Sequence, residues 1–165
     1  MNKSLFCIAV CVAAPLAGGA DQGGGGGATA VAAQTIARAG TQAPTTGAMD
    51  NFDGRVRVEP LFAATGDIRA SAAYVTFEPG ARSAWHTHPA GQRLVVISGV
   101  GRTQEWGKPV QEIRPGDVIV CPPGVKHWHG AAPTIAMTHL AVTGSVDGKT
   151  VQWMEKVSDD QYNAR

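Results

Sequence analysis

The sequence predicts an all-β domain, an antiparallel sandwich or small barrel, on three observations. Apolar segments from about residue 54 onward are only of strand length. Several alternate with polar residues or are rich in β-branched side chains, a composition that suits a pleated surface. Gly and Pro turn signals divide them at intervals of roughly eight to twelve residues, the spacing of short paired strands.

Each element follows in chain order. "RVRVEPLF" at 55–62 alternates as far as Pro60, where a strand is expected to end. "AAYVTFEPG" at 72–80 runs as a strand into a Pro-Gly turn, and "RLVVISGVG" at 93–101 is β-branched and closes on glycines. "VQEIRPGDVIVCPPG" at 110–124 holds a strand end, a turn, a second strand and another turn. "TIAMTHLAVTG" at 134–144 is one more strand. Only "SDDQYNAR", with Ser158 as N-cap, predicts a helix, short and terminal.

A chain of 165 residues suffices for one domain with a core plus appendages. With a net charge of +1 and 16% charged residues, no basic face points to nucleic acid. The start has the layout of a secretory leader: Lys3, then an apolar run from Leu5 to Leu16, then small residues before two cleavage points, after Ala20 and after Ala33. That run is too short to span a bilayer, so no membrane span is expected in the mature form. The expected organisation is a signal peptide with Gly-rich leader at 1–33, an N-terminal arm at 34–53 and the domain at 54–165, located in the periplasm or outside the cell. Cys7 and Cys11 leave with the leader. Cys121 is then alone, which excludes an internal disulfide and suits a small buried apolar side chain.

All five histidines fall within this β region: His86, His88, His127, His129 and His139. Strand side chains alternate faces, so His86 and His88 share one face, and so do His127 and His129. "PAG" is a turn able to bring Gln92 beside the first pair. Neutral imidazoles suit first-row transition metals, and no thiolate is placed to compete. Trp85 and Trp128 each precede a histidine of these pairs and are expected on the outer face as packing, not in a cation–π cage. Lys126 is expected in solvent. Gly80, Gly99, Gly116 and Gly124, with Pro122 and Pro123, are turn-formers.

Residues 80–99 read G-x5-H-x-H-x3-Q-x6-G, and residues 116–127 read G-x5-P-x-G-x2-H. These resemble the two signature motifs of the cupins, single-domain β-barrels of the double-stranded β-helix, jelly-roll-like kind. Two departures stand out: Gln92 replaces the usual Glu, and Ala131 stands where an Asn is usual. "VTFEPGARSAWHTHPAGQRLVV", "PPGVKHWHGAAPTIAMTHLAV" and "DGKTVQWMEKVSDDQY" are similar to the bacterial cupin group associated with carboxymuconolactone decarboxylases. Within it they look closest to the manganese-dependent (R)-selective hydroxynitrile lyases, over residues 38–162.

That resemblance implies His86, His88, Gln92 and His127 as ligands of a divalent transition metal, manganese first, with iron, nickel, copper and zinc also compatible. Physical chemistry agrees with the set. Four neutral donors leave the cation its full charge, which favours anions such as alkoxide or cyanide. Their number leaves positions open on a metal that prefers six. The resemblance further implies that His139 and His129 take part in proton transfer, that Ser83 orients a substrate oxygen, and that Ala73, Val75 and Thr143 line a pocket for an aryl ring. His139 is expected to share its face with Ile135, Met137 and Ala141, an apolar setting that lowers its pKa. Edge pairing into a homodimer or homotetramer is also implied, with an arm near residues 38–60 adding a strand to a neighbour's sheet. Three function classes are weighed: a carbon–carbon lyase acting on small cyanohydrins, a quercetinase-like dioxygenase, and a non-enzymatic cupin that binds a small ligand or metal.

Overall fold

Short alternating segments assemble into two curled antiparallel sheets. The computed structural model describes residues 33–164; the leader expectation, residues 1–33, lies outside them except for Ala33. Strands are numbered along the chain. The first sheet runs β1 (Thr45–Thr46), β3 (Val56–Phe62), β4 (Ala70–Phe77), β12 (Met137–Gly144), β7 (Gln92–Gly99), β10 (Val118–Cys121). The second runs β13 (Gln152–Trp153), β6 (His86–Thr87), β11 (His127–Ala131), β5 (Arg82–Ser83), β2 (Phe52–Asp53). Along the other side of β11 lies β8 (Gly101–Glu105), and β9 (Gln111–Ile113) pairs with β8. From Ile36 onward the described chain forms one compact unit, the small antiparallel barrel that the turn spacing predicts and, as the cupin resemblance implies, jelly-roll-like.

Period-two alternation sorts the side chains. Along β12 the inner face reads Met137, His139, Ala141 and Thr143, and cross-strand partners on β7 are Val96, Leu94 and Gln92. The face thus grades from apolar to polar along the strands. At the apolar end, Val56, Phe77, Leu94, Val96, Ile113, Ala131 and Met137 form the core between the sheets. Cys121 is buried at the end of β10, opposite Gln92, and burial pushes its thiol up to about 11.

A second apolar cluster covers the outside of β11, where Trp85 and Trp128 pack with Val157 and Tyr162. The terminal helix α1 (Asp159–Asn163) forms as expected, and Ser158 and Gln161 close a reciprocal capping box. Among the described residues, no helix is long and apolar enough to cross a membrane.

Two details depart from the sequence expectations, at Pro60 and at Ile135. β3 continues through Pro60 to Phe62, because β1 covers only Arg57 and Val58; beyond them β3 has a free edge where a missing N–H breaks no ladder bond. Within the chain, the arm also has Thr45 opposite Val58 and Phe52 opposite Ser83. Ile135 precedes β12 and is exposed, so it does not share the inner face of His139.

Candidate functional site

Cross-strand register gathers the histidines. His127 and His86 are direct partners between β11 and β6, and His129 follows on the same inner face. His88 lies just past β6, and the turn ending at Gly91 brings Gln92 back onto β7. His139 arrives from the other sheet at a bulge: Thr138 opposes Ser98 but His139 opposes Val96, so Ile97 is the extra residue. Gly130 allows β11 to lie close against the chain at Ala81 and Arg82, where any Cβ would collide with the Ala81 carbonyl. This close approach sets the Ser83 hydroxyl under the His129 backbone N–H, which donates to it at 3.2 Å.

All five imidazoles, Gln92 and Ser83 are buried. Ring centroids lie 4.3 Å apart for His86 and His127, 5.0 Å for His86 and His88, and 5.4 Å for His88 and His127. The tightest nitrogen set is His86, His127 and His129, all within 4.8 Å of one another. His129 thus brings a nitrogen to the cluster, although its ring lies 5.2 Å from His86 and 6.0 Å from His127, farther than that of His88.

Hydrogen bonding fixes which atom of each side chain faces inward. Nδ1–H donates to the Ala84 carbonyl from His86 (2.9 Å), to Thr150 from His88 (2.6 Å) and to Val125 from His127 (2.9 Å). A carbonyl only accepts, so these three rings carry their proton on Nδ1 and keep a lone pair on Nε2. The Gln92 amide nitrogen donates to Thr143 Oγ1 at 3.0 Å, which leaves its oxygen inward. His139 Nε2 and His129 Nδ1 share one hydrogen bond of 3.1 Å. Among the described residues, the buried side-chain atoms without a partner are His88 Nε2, His127 Nε2, His129 Nε2, His139 Nδ1 and Gln92 Oε1. Orphaned atoms of this kind cost about 1–3 kcal/mol each unless something binds them. Converging imidazole and amide lone pairs fit a divalent transition cation.

Electrostatics keep the site uncharged. Burial holds His86 and His129 well below the ordinary imidazole range, and the neighbouring imidazoles push the same way. Burial takes His127 and His139 down to about 4. His88 is lowered less, since its bond to Thr150 and the adjacent Gln92 amide oppose the effect of burial. Among the described residues, no carboxylate joins the histidine cluster to offset an incoming cation, and the lowered pKa values keep the imidazoles free bases at neutral pH.

Val75 faces His139 across β4 and β12, Ala73 faces Ala141, and Thr143 faces Gln92 across β7. Sequence reasoning missed Trp153, which pairs with His86 in register and packs on its ring at 4.9 Å. It also missed Phe77, which lies 5.7 Å from His129 and 5.6 Å from His139. Alternation from Val75 would have found Phe77; nothing local marks Trp153. Lys126 is not simply solvated. Its ammonium sits 3.5 Å from the Trp106 ring centre and 5.5 Å from that of Trp85, and pairs with Glu155. Trp85 therefore does receive a cation, on the outer face and away from the histidines. A groove of about 240 Å³ lined by Thr45, Arg55, Arg57 and Glu78, among others, includes none of the histidines and neither Gln92 nor Ser83.

Known proteins resemble this chain at both levels. Residues 73–143 match the cupin domain family. An (R)-mandelonitrile lyase of Granulicella tundricola is 58% identical over 127 residues, 77% of this chain and 97% of that protein. A cupin-like protein of Thermotoga maritima superposes with a TM-score of 0.67 at 38% identity, over 78% of this chain and 95% of that one. A cupin-2 domain of Rhodospirillum rubrum, 20% identical, shares the fold with a TM-score of 0.60 over 73% of this chain and 80% of its own.

Proposed function

The chain belongs to the cupin family, and from that premise we propose that it is a metal-dependent carbon–carbon lyase of the hydroxynitrile lyase kind, cleaving or forming (R)-cyanohydrins such as mandelonitrile. The observation that carries this reading is the 58% identity to a mandelonitrile lyase over 127 residues, beside a cupin-domain match at residues 73–143 that contains all five histidines. His86, His88 and His127 through Nε2, and Gln92 through Oε1, would hold the ion, manganese being the one the resemblance implies. We assign these four because a fixed acceptor sets the orientation of each. When bound, a divalent cation supplies Lewis acidity toward a substrate oxygen, undiminished by any ligand charge.

His129 differs from the three ring ligands in one respect. Its Nδ1 faces another imidazole instead of a carbonyl, so the proton between His129 and His139 has a place on either ring. That freedom suits a base. His129 Nε2 takes the hydroxyl proton of the cyanohydrin, while its Nδ1–H donates to His139 Nε2. The carbon–carbon bond then breaks with its electron pair leaving on cyanide, and the hydroxyl oxygen becomes the aldehyde carbonyl. The proton returns from His129 to cyanide, giving hydrogen cyanide; synthesis runs these steps backwards. Ser83, whose oxygen accepts from the His129 N–H, has its own proton free to orient the substrate oxygen. Ala73, Val75 and Thr143 are small enough to leave room for an aryl group.

The test is release of benzaldehyde from (R)- and (S)-mandelonitrile by manganese-loaded protein, with oxygen uptake followed in parallel. Turnover of the (R)-form is expected, lost in His129→Ala. Oxygen consumption without cyanide release would instead place the chain among oxidative cupins. Lys3 and the apolar run Leu5–Leu16 support export to the periplasm or beyond, checked by N-terminal sequencing of the mature protein. A homodimer or homotetramer is expected from the family, checked by light scattering.

A further inference from the structure

Among the four atoms that orient the donor set, three are backbone carbonyls: Ala84, Thr150 and Val125. The fourth is the side-chain hydroxyl of Thr143. An imidazole held through Nδ1 has only one nitrogen left to present. An amide is ambiguous: turned over, Gln92 would aim its NH2 at the cluster, and its two hydrogens would repel a cation. The Gln92 amide also neighbours His88, whose Nε2 lone pair is an alternative acceptor for that NH2.

We infer that Thr143 is a positioning residue whose hydroxyl, by accepting from Gln92 Nε2, keeps the amide oxygen turned toward the histidines and so sets the metal affinity of the site. The inference rests on reading His86, His88, Gln92 and His127 as the donor set. Its geometry is specific. Thr143 and Gln92 are direct cross-strand partners on the inner face, the bond between them is 3.0 Å, and the Gln92 oxygen is buried without a partner. Without the hydroxyl, the NH2 has an acceptor in the unpartnered His88 Nε2, and the amide inverts.

The test is a double-mutant cycle read as Mn2+ affinity of the metal-free protein, from the fall in the free-ion electron paramagnetic resonance signal on titration. Thr143→Val removes the acceptor at nearly constant volume and should weaken binding about tenfold. Thr143→Ser keeps the hydroxyl and should bind like wild type. Thr143→Ala replaces the valine variant if circular dichroism finds that one unfolded. In a Gln92→Glu background both terminal atoms are oxygens, so Thr143→Val should there have no effect. Wild type that binds no Mn2+ overturns the donor-set reading and this inference with it. Wild type that binds while Thr143→Val binds equally well overturns this inference alone. An equal loss in both backgrounds assigns Thr143 to packing and also overturns it.

Discussion

β11 presents two faces that are buried alike and built to opposite rules. Outward, Trp128 is fully buried, and the polar atoms around it are paired. Its indole N–H donates to Gln104 at 2.8 Å, that of Trp85 to Gln161 at 3.2 Å, and the Tyr162 hydroxyl to the Ala131 carbonyl at 2.8 Å. Inward, one residue to either side, His127 and His129 each bury an Nε2 with no partner. The fold avoids on one side of a strand a cost it accepts on the other. Burial alone therefore does not separate packing from chemistry in this molecule; satisfaction of the buried polar atoms does.

Acid should break the inner face with the largest effect. Burial takes His127 and His139 from 6.5 down to about 4. Between those values the unfolded chain binds protons that the fold refuses. Stability is therefore flat above about 6.5, falls as pH drops through that window, and stops falling from these groups below about 4. The summed loss should reach several kcal/mol, measured as the urea midpoint of chelator-treated protein against pH. A flat curve across the window would mean that the imidazoles are not held neutral by the fold. The outer face should fail next. Trp128→Ala should cost about 3–5 kcal/mol in urea unfolding, the range for a buried aromatic side chain. A loss below about 1 kcal/mol would mean that the cluster of Trp85, Trp128, Val157 and Tyr162 is not what secures the outside of β11.

This division between faces was partly legible in the sequence, for a simple reason. Period two is local, so HxH and HWH already place histidines together and the tryptophans opposite, and SDDQ already specifies a capped helix. What depends on register between distant segments was not legible. His139 reaches His129 only because of the bulge at Ile97, and no residue type announces a bulge there. Thr150 holds His88 from 62 positions away through a carbonyl that every residue possesses. Thr143 read as a pocket wall, since nothing in the sequence says that its hydroxyl meets the Gln92 amide. Lys126 read as solvated because Trp106, the ring beneath it, comes from another strand–turn unit.

The smallest expected effect draws the sharpest line between the faces. The Tyr162 hydroxyl donates to Ala131 on the strand that carries His127 and His129, so it is one bond removed from the site without touching it. Its ring is held independently, with the Arg82 guanidinium 4.8 Å and that of Arg102 5.2 Å from its centre, and Arg102 also donates to the Tyr162 carbonyl. Tyr162→Phe should therefore keep the ring in place and lose only the hydroxyl bond, about 1 kcal/mol. If the outer face serves packing alone, the variant unfolds at lower urea while Mn2+ affinity and mandelonitrile turnover stay at wild-type values. A fall in either at unchanged stability would mean that the outside of β11 tunes the inside, and that the two faces work as one unit.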